Sequence, residues 1–141
     1  MSTLDSLIRV HRWQIDEHRR RLADLDALQE QLRQEQRRLD EEDLREQQVA
    51  AASLEASLTF DAYAQALLER RRRLSQSLAE VAQAIALGRE ALASAFEEMK
   101  RYEITAANRT RQQQLREARR QQQAMDALGV EAFRRRGAAN E

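Results

Sequence analysis

Apolar residues recur at three- and four-residue intervals along most of this chain. With Ile8 at heptad position a and Leu4 at d, one unbroken register runs to Tyr102 and defines 29 core positions. Sixteen of these hold a large apolar side chain: Leu4, Ile8, Ile15, Leu22, Leu25, Leu32, Leu39, Phe60, Leu67, Leu74, Leu78, Val81, Ile85, Leu92, Met99 and Tyr102. Ala50, Ala64 and Ala95 bring the apolar total to 19 of 29, against 42% for the whole chain. This is the 3.5-residue enrichment of a left-handed coiled coil.

The seam has one gap. From Asp43 to Ser57 the core positions read Asp43, Glu46, Ala50, Ser53 and Ser57, with no large apolar residue. A seam that is strong, blank and strong again predicts two helices joined at a tip. The predicted fold is all-α: a long antiparallel two-helix coiled-coil hairpin with a C-terminal helical overhang, one domain over residues 1–141. Helix one is expected over residues 3–52, the tip within 47–59, helix two over 60–128, and a frayed tail over 129–141. Thr59 is the expected cap of helix two, Asp61 suits the positive end of its dipole, and Leu58 can staple onto Tyr63. Ser2 with Asp5 forms a weak capping box at the N-terminus, and Gly129 is the expected terminator, with Val130 closing back on Met125. Neither Gly nor Pro marks the bend, so an uninterrupted helix in a parallel dimer is the competing reading.

A tip centred near residue 56 makes the numbers of facing residues add to about 112. Leu32 then faces the Val81 region, Leu22 the Leu92 region, and Ile15 faces Met99; Gly88 falls near Leu25, making room for a large side chain. At 1.5 Å per residue the paired stalk is on the order of 75 Å long, with roughly one to two dozen residues of helix two overhanging.

Composition narrows the function classes. The chain has no Pro, no Cys and three Gly, and its 24 basic and 24 acidic residues cancel. Few turn formers and few β-branched residues argue against sheet folds. Without Cys there is no disulfide framework, thiolate metal site or Cys nucleophile. Neutral charge argues against a dedicated nucleic-acid binder. The apolar runs fall short of the roughly 20 residues of a membrane span, so no direct membrane insertion is expected and the chain reads as cytoplasmic.

Candidate chemistry is sparse. His11 and His18 share position d, without the ligand spacing that a metal would need, and read as polar seam residues that fix register. Carboxylate–arginine pairs recur at i, i+4: Asp5 with Arg9, Asp16 with Arg20, Glu17 with Arg21, Glu69 with Arg73, and Glu97 with Arg101. The sequence has no nucleophile–base arrangement and no phosphate-binding Gly loop, so no enzymatic activity and no cofactor are expected. The run Arg70–Arg73, with Arg71 at a core position, reads as a solvated surface whose stems snorkel over the seam, or as a patch for an acidic partner.

Two regions exceed what a hairpin can bury. Leu7, Val10 and Trp13 lie off the seam and make the N-terminal end apolar around most of its circumference, as a partner surface would be. From Arg109 to Glu141 the chain has eight arginines against four acidic residues, a net of +4, with a weak apolar stripe of Leu115, Ala118, Met125, Leu128, Ala132 and Phe133. A lone helix cannot bury such a stripe and is marginal in water. Arg109, Leu115, Arg116, Arg120, Met125 and Phe133 are therefore candidate partner-binding residues, beside Leu7, Val10 and Trp13, in a segment that is either frayed or ordered on docking.

The N-terminal LIRVHRWQIDEHRRRLADL, the tip SLTFDAYAQAL and the ending AMDALGVEAFRRR, in a chain without Cys or Pro, together resemble the FliJ family nearly end to end. These are flagellar export proteins of bacterial type III secretion. The family's terminal element often reads Met-Asp-Glu, whereas here Met125 and Asp126 are followed by Ala127. The resemblance implies an antiparallel coiled-coil stalk that couples a FliI-like export ATPase ring to a FlhA-like export gate and to export chaperones. It also implies a cytoplasmic site at the inner-membrane flagellar basal body, a monomeric hairpin when isolated, and residues 4–20 and 100–128 as the end that meets the ring. The equivalent stalk of a virulence secretion system and a generic dimeric coiled-coil scaffold are the alternatives.

Overall fold

The computed structural model describes residues 3–140. Two helices, α1 (Thr3–Ala52) and α2 (Leu54–Ala139), pack against each other as an all-α hairpin, and among the described residues there is no strand. Strong helix formers fill both segments, and no proline or positive-φ glycine interrupts them.

A single residue, Ser53, turns the chain. Its Oγ accepts a hydrogen bond from the Ala56 N–H at 3.1 Å, and its carbonyl accepts the Ser57 N–H at 3.1 Å. Ser53 is therefore the N-cap of α2: its side chain satisfies the third helical N–H while its carbonyl starts the helical ladder. Helix two thus begins at Leu54 instead of 60, and the residues expected to form the second half of the tip are its first turns. Thr59 is not the cap; its hydroxyl donates to the Ala56 carbonyl at 3.1 Å, as a threonine inside a helix does. Leu58 is exposed, and Phe60 is a neighbour of Tyr63, with ring centroids 6.0 Å apart. At the other end, Gly129 is helical and α2 continues through it to Ala139, so the tail expected over 129–141 is helix as far as that residue. The Ser2 half of the N-terminal capping box lies outside the described residues.

The described structure divides into two compact units. In the larger, Arg12–Phe96, the buried residues are Ile15, Leu39, Leu67, Leu74, Val81, Ile85 and Ala95. Every one occupies an a or d position of the heptad register. Leu39, Leu67 and Leu74 form a core cluster, against which Leu32, Tyr63 and Leu78 pack. Burying a leucine in this way is worth about 1.5–3 kcal/mol, so a few such layers hold the two helices together. Facing pairs fix the direction and register: residue 22 meets 88, 40 meets 71 and 42 meets 70. The first number rises as the second falls, so the helices are antiparallel, and each pair adds to 110–112. Gly88 abuts Leu22 rather than Leu25: a Cβ at 88 would lie 2.9 Å from Leu22 Cδ2.

The smaller unit is Met1–His11 with Glu97–Glu141. Leu4, Ile8 and Met99 are buried, again at a and d positions. The His11 ring stacks on Tyr102 with centroids 4.9 Å apart and planes 24° from parallel. From Ala107 to Asn140 every residue is exposed. α2 thus runs on as a single exposed helical arm.

Candidate functional surfaces

An ion-pair cluster lies where the polar gap in the seam begins. Arg71, at an a position of α2, places its Nη2 2.9 Å from Asp40 Oδ1 and 3.4 Å from Asp43 Oδ2. Asp43 is the a-position carboxylate that breaks the apolar pattern of α1, and its side chain is only 18% exposed. Arg70 Nη1 lies 3.9 Å from Glu42, and Arg73 bonds Glu69 at 2.7 Å along its own helix. The acidic surface that Arg70 and Arg71 meet is therefore the facing helix of the same chain. Tyr63 lies next to this cluster with its hydroxyl buried and without a hydrogen-bond partner. Burial raises its pKa above the ordinary 10.0, and the carboxylates of Glu42, Glu46 and Asp43 push it the same way, while Arg70 opposes them.

Other charges pair within helices. Glu69 and Arg73 make the expected i, i+4 contact, while Asp16 and Glu17 meet Arg19 and Arg20 at i, i+3. Arg19 also lies over the Phe96 ring, 5.1 Å from its centroid. His18 is half-buried, and His11 is held by its stack on Tyr102. Among the described residues no group of three or more His, Cys, Asp or Glu is placed to hold a metal ion, and no helix is long and apolar enough to cross a membrane.

Of the nine residues singled out for partner binding, Leu7 and Val10 are exposed on the α1 strip of the smaller unit. Trp13 belongs to the larger unit and is 61% exposed. The other six line the arm, on two different faces. Arg109, Arg116 and Arg120 share one side with Gln112, Gln113 and Glu117. Continuing the heptad register places these arginines at d, d and a, so they lie on the extension of the seam. Leu115 and Met125 fall at positions c and f, on the opposite side, with Phe133 at g beside them. The apolar stripe is therefore no continuation of the core.

Sequence reasoning missed the Arg71 cluster as an internal contact and the Tyr63 hydroxyl inside it. The signal for the first was available: at a sum near 112, Arg70 and Arg71 face Asp40, Glu42 and Asp43. Set against models of protein families, curated proteins and solved structures, the chain has no match in any of the three.

Proposed function

We propose that this chain is a non-enzymatic stalk of the FliJ kind, serving the bacterial flagellar type III protein export apparatus. The arm carries the reading. Beyond Gln113 the seam face of α2 has no covering helix, and the exposed segment bears both a basic face and an apolar one. Such a segment gains stability by docking, because a lone helix in water gains none from packing. An uncovered helix of this kind suits insertion into the ring of a FliI-like ATPase, from which the stalk reaches a FlhA-like gate and export chaperones. Of the segments that carry the family resemblance, AMDALGVEAFRRR lies on this arm. The site of action is then the cytoplasmic face of the basal body.

The test is truncation after Arg109, followed by measurement of ATPase stimulation and ring binding. Loss of both is expected. Unchanged values for both would defeat the proposal. Recovery of the export ATPase with the full chain from the native cell is the companion result that the reading requires.

A further inference from the structure

We infer that the seam face of the arm docks an acidic helix of a partner protein, laid antiparallel to α2 with carboxylates at three- and four-residue spacing. This deepens the docking role given to the arm above and rests on that part of the proposal alone.

The first support is position. At 100° per residue Arg109, Arg116 and Arg120 fall within about 40° of one another, a single file along the helix. At 1.5 Å per residue the first two are about 10 Å apart along the axis and the last two about 6 Å, the intervals of one heptad and one turn. A facing helix repeats at the same intervals, so one straight helix can offer a carboxylate to each.

The second is continuity with a face already used for helix packing. Leu4 and Asp5 of α1 line one surface hollow with Ala106, Arg109, Thr110 and Gln113 of α2. Past that point the same face continues without a covering helix. Beyond Gln113 its a and d positions read Arg116, Arg120, Gln123 and Ala127, with no large apolar residue before Val130. An apolar helix would strand these polar groups; an acidic one would pair them.

The third is the chain's own solution to the same problem. Arg71 is also a seam-position arginine on α2, and the facing antiparallel helix meets it with Asp40 and Asp43, three residues apart. In the arm, by contrast, no ion pair or hydrogen bond holds Arg109, Arg116 or Arg120 among the described residues. Glu117 lies beside Arg116 on the rim of this face, where it would repel a phosphate backbone but leaves the file itself basic.

The experiment measures fluorescence anisotropy of labelled synthetic helical peptides titrated with the full-length protein. The patterned peptide carries Asp or Glu at every a and d position over three heptads. Its control has the same composition with the acids spread evenly around the helix. A short DNA duplex is the third probe. The expected result is salt-sensitive binding of the patterned peptide, at least about tenfold tighter than the control or the duplex. Arg109→Glu/Arg116→Glu/Arg120→Glu should abolish that binding, with the far-UV circular dichroism unchanged. A peptide with arginines in place of its acids should then bind the triple variant. Equal binding of patterned and control peptides, tighter binding of the duplex, or no binding at all would overturn the inference. No ATPase enters this assay, so its failure leaves the export reading standing, and loss of the export reading leaves the peptide result intact.

Discussion

Replacing Gly88 by alanine probes the packing of the two helices at one point of known geometry. Alanine in a helix interior is worth about 1 kcal/mol over glycine. Here the new methyl would sit 2.9 Å from Leu22 Cδ2 and 3.5 Å from its Cγ. Carbon atoms prefer about 3.5–4.0 Å, so something must give. Leu22 is half-buried and the near atom is its free methyl end, so the leucine turns and the helices stay where they are. Pushing that side chain off its rotamer costs about 0.5–1.5 kcal/mol, which cancels the propensity gain. Gly88→Ala alone is therefore expected to leave stability within about 0.5 kcal/mol of the parent. In a Leu22→Ala background the obstruction is gone and the full gain of about 1 kcal/mol should return. Urea unfolding of all four chains, followed by far-UV circular dichroism, gives the coupling energy, expected at about 0.5–1.5 kcal/mol. Equal gains in both backgrounds would refute the reasoning, because Leu22 could not then be lying on Gly88.

Three further changes test other contacts. Ser53→Ala removes the α2 cap and should cost about 1 kcal/mol in thermal unfolding, whereas Thr59→Ala should cost little beyond its propensity change. Tyr63→Phe deletes a buried hydroxyl without a partner and should be neutral or stabilise by up to about 1 kcal/mol. The same change tests linkage. The native state raises the Tyr63 pKa above 10.0 and so favours the neutral phenol. That contribution is complete below pH 10.0 and is lost as pH rises through the higher native value, so the parent should lose stability in alkali more steeply than Tyr63→Phe. Arg71→Leu strands Asp43 and should cost about 1 kcal/mol by urea titration; adding Asp43→Leu makes the layer apolar and should restore parental stability or exceed it.

The heptad pattern carried most of the fold. Among the described residues, all ten that are buried lie at a or d positions of one register counted from Ile8, because packing against a single facing helix selects that stripe alone. The turn was less legible. Ser53 is the better capping residue and Thr59 the weaker, but nothing local distinguishes the serine that ends a seam from one that caps a helix. Gly129 misled for a related reason: glycine ends a helix by adopting positive φ, and here, among helix formers and without a contact to divert the chain, it stays helical. The Arg71 contact was hidden from neighbour counting, since its partners are 28 and 31 residues away. A sum of about 112 is too coarse to separate Leu25 from Leu22 as the residue that faces Gly88. For the candidate surfaces, the sequence identified the arm's residues, but their division into a basic seam face and an apolar outer face needed the register extended past Tyr102.

One chain doubles back at Ser53 to pack α2 antiparallel on α1. Leu22→Cys with Gly88→Cys probes that reversal, because the chain has no other cysteine. The Cβ position at 88 is 3.5 Å from Leu22 Cγ, close to where a cysteine sulfur at 22 would sit, which is within reach of a disulfide after a small adjustment. After mild oxidation, non-reducing electrophoresis and mass measurement should show a monomer that has lost two hydrogens. Disulfide-linked dimers, or two thiols that remain free, would contradict the fold described here.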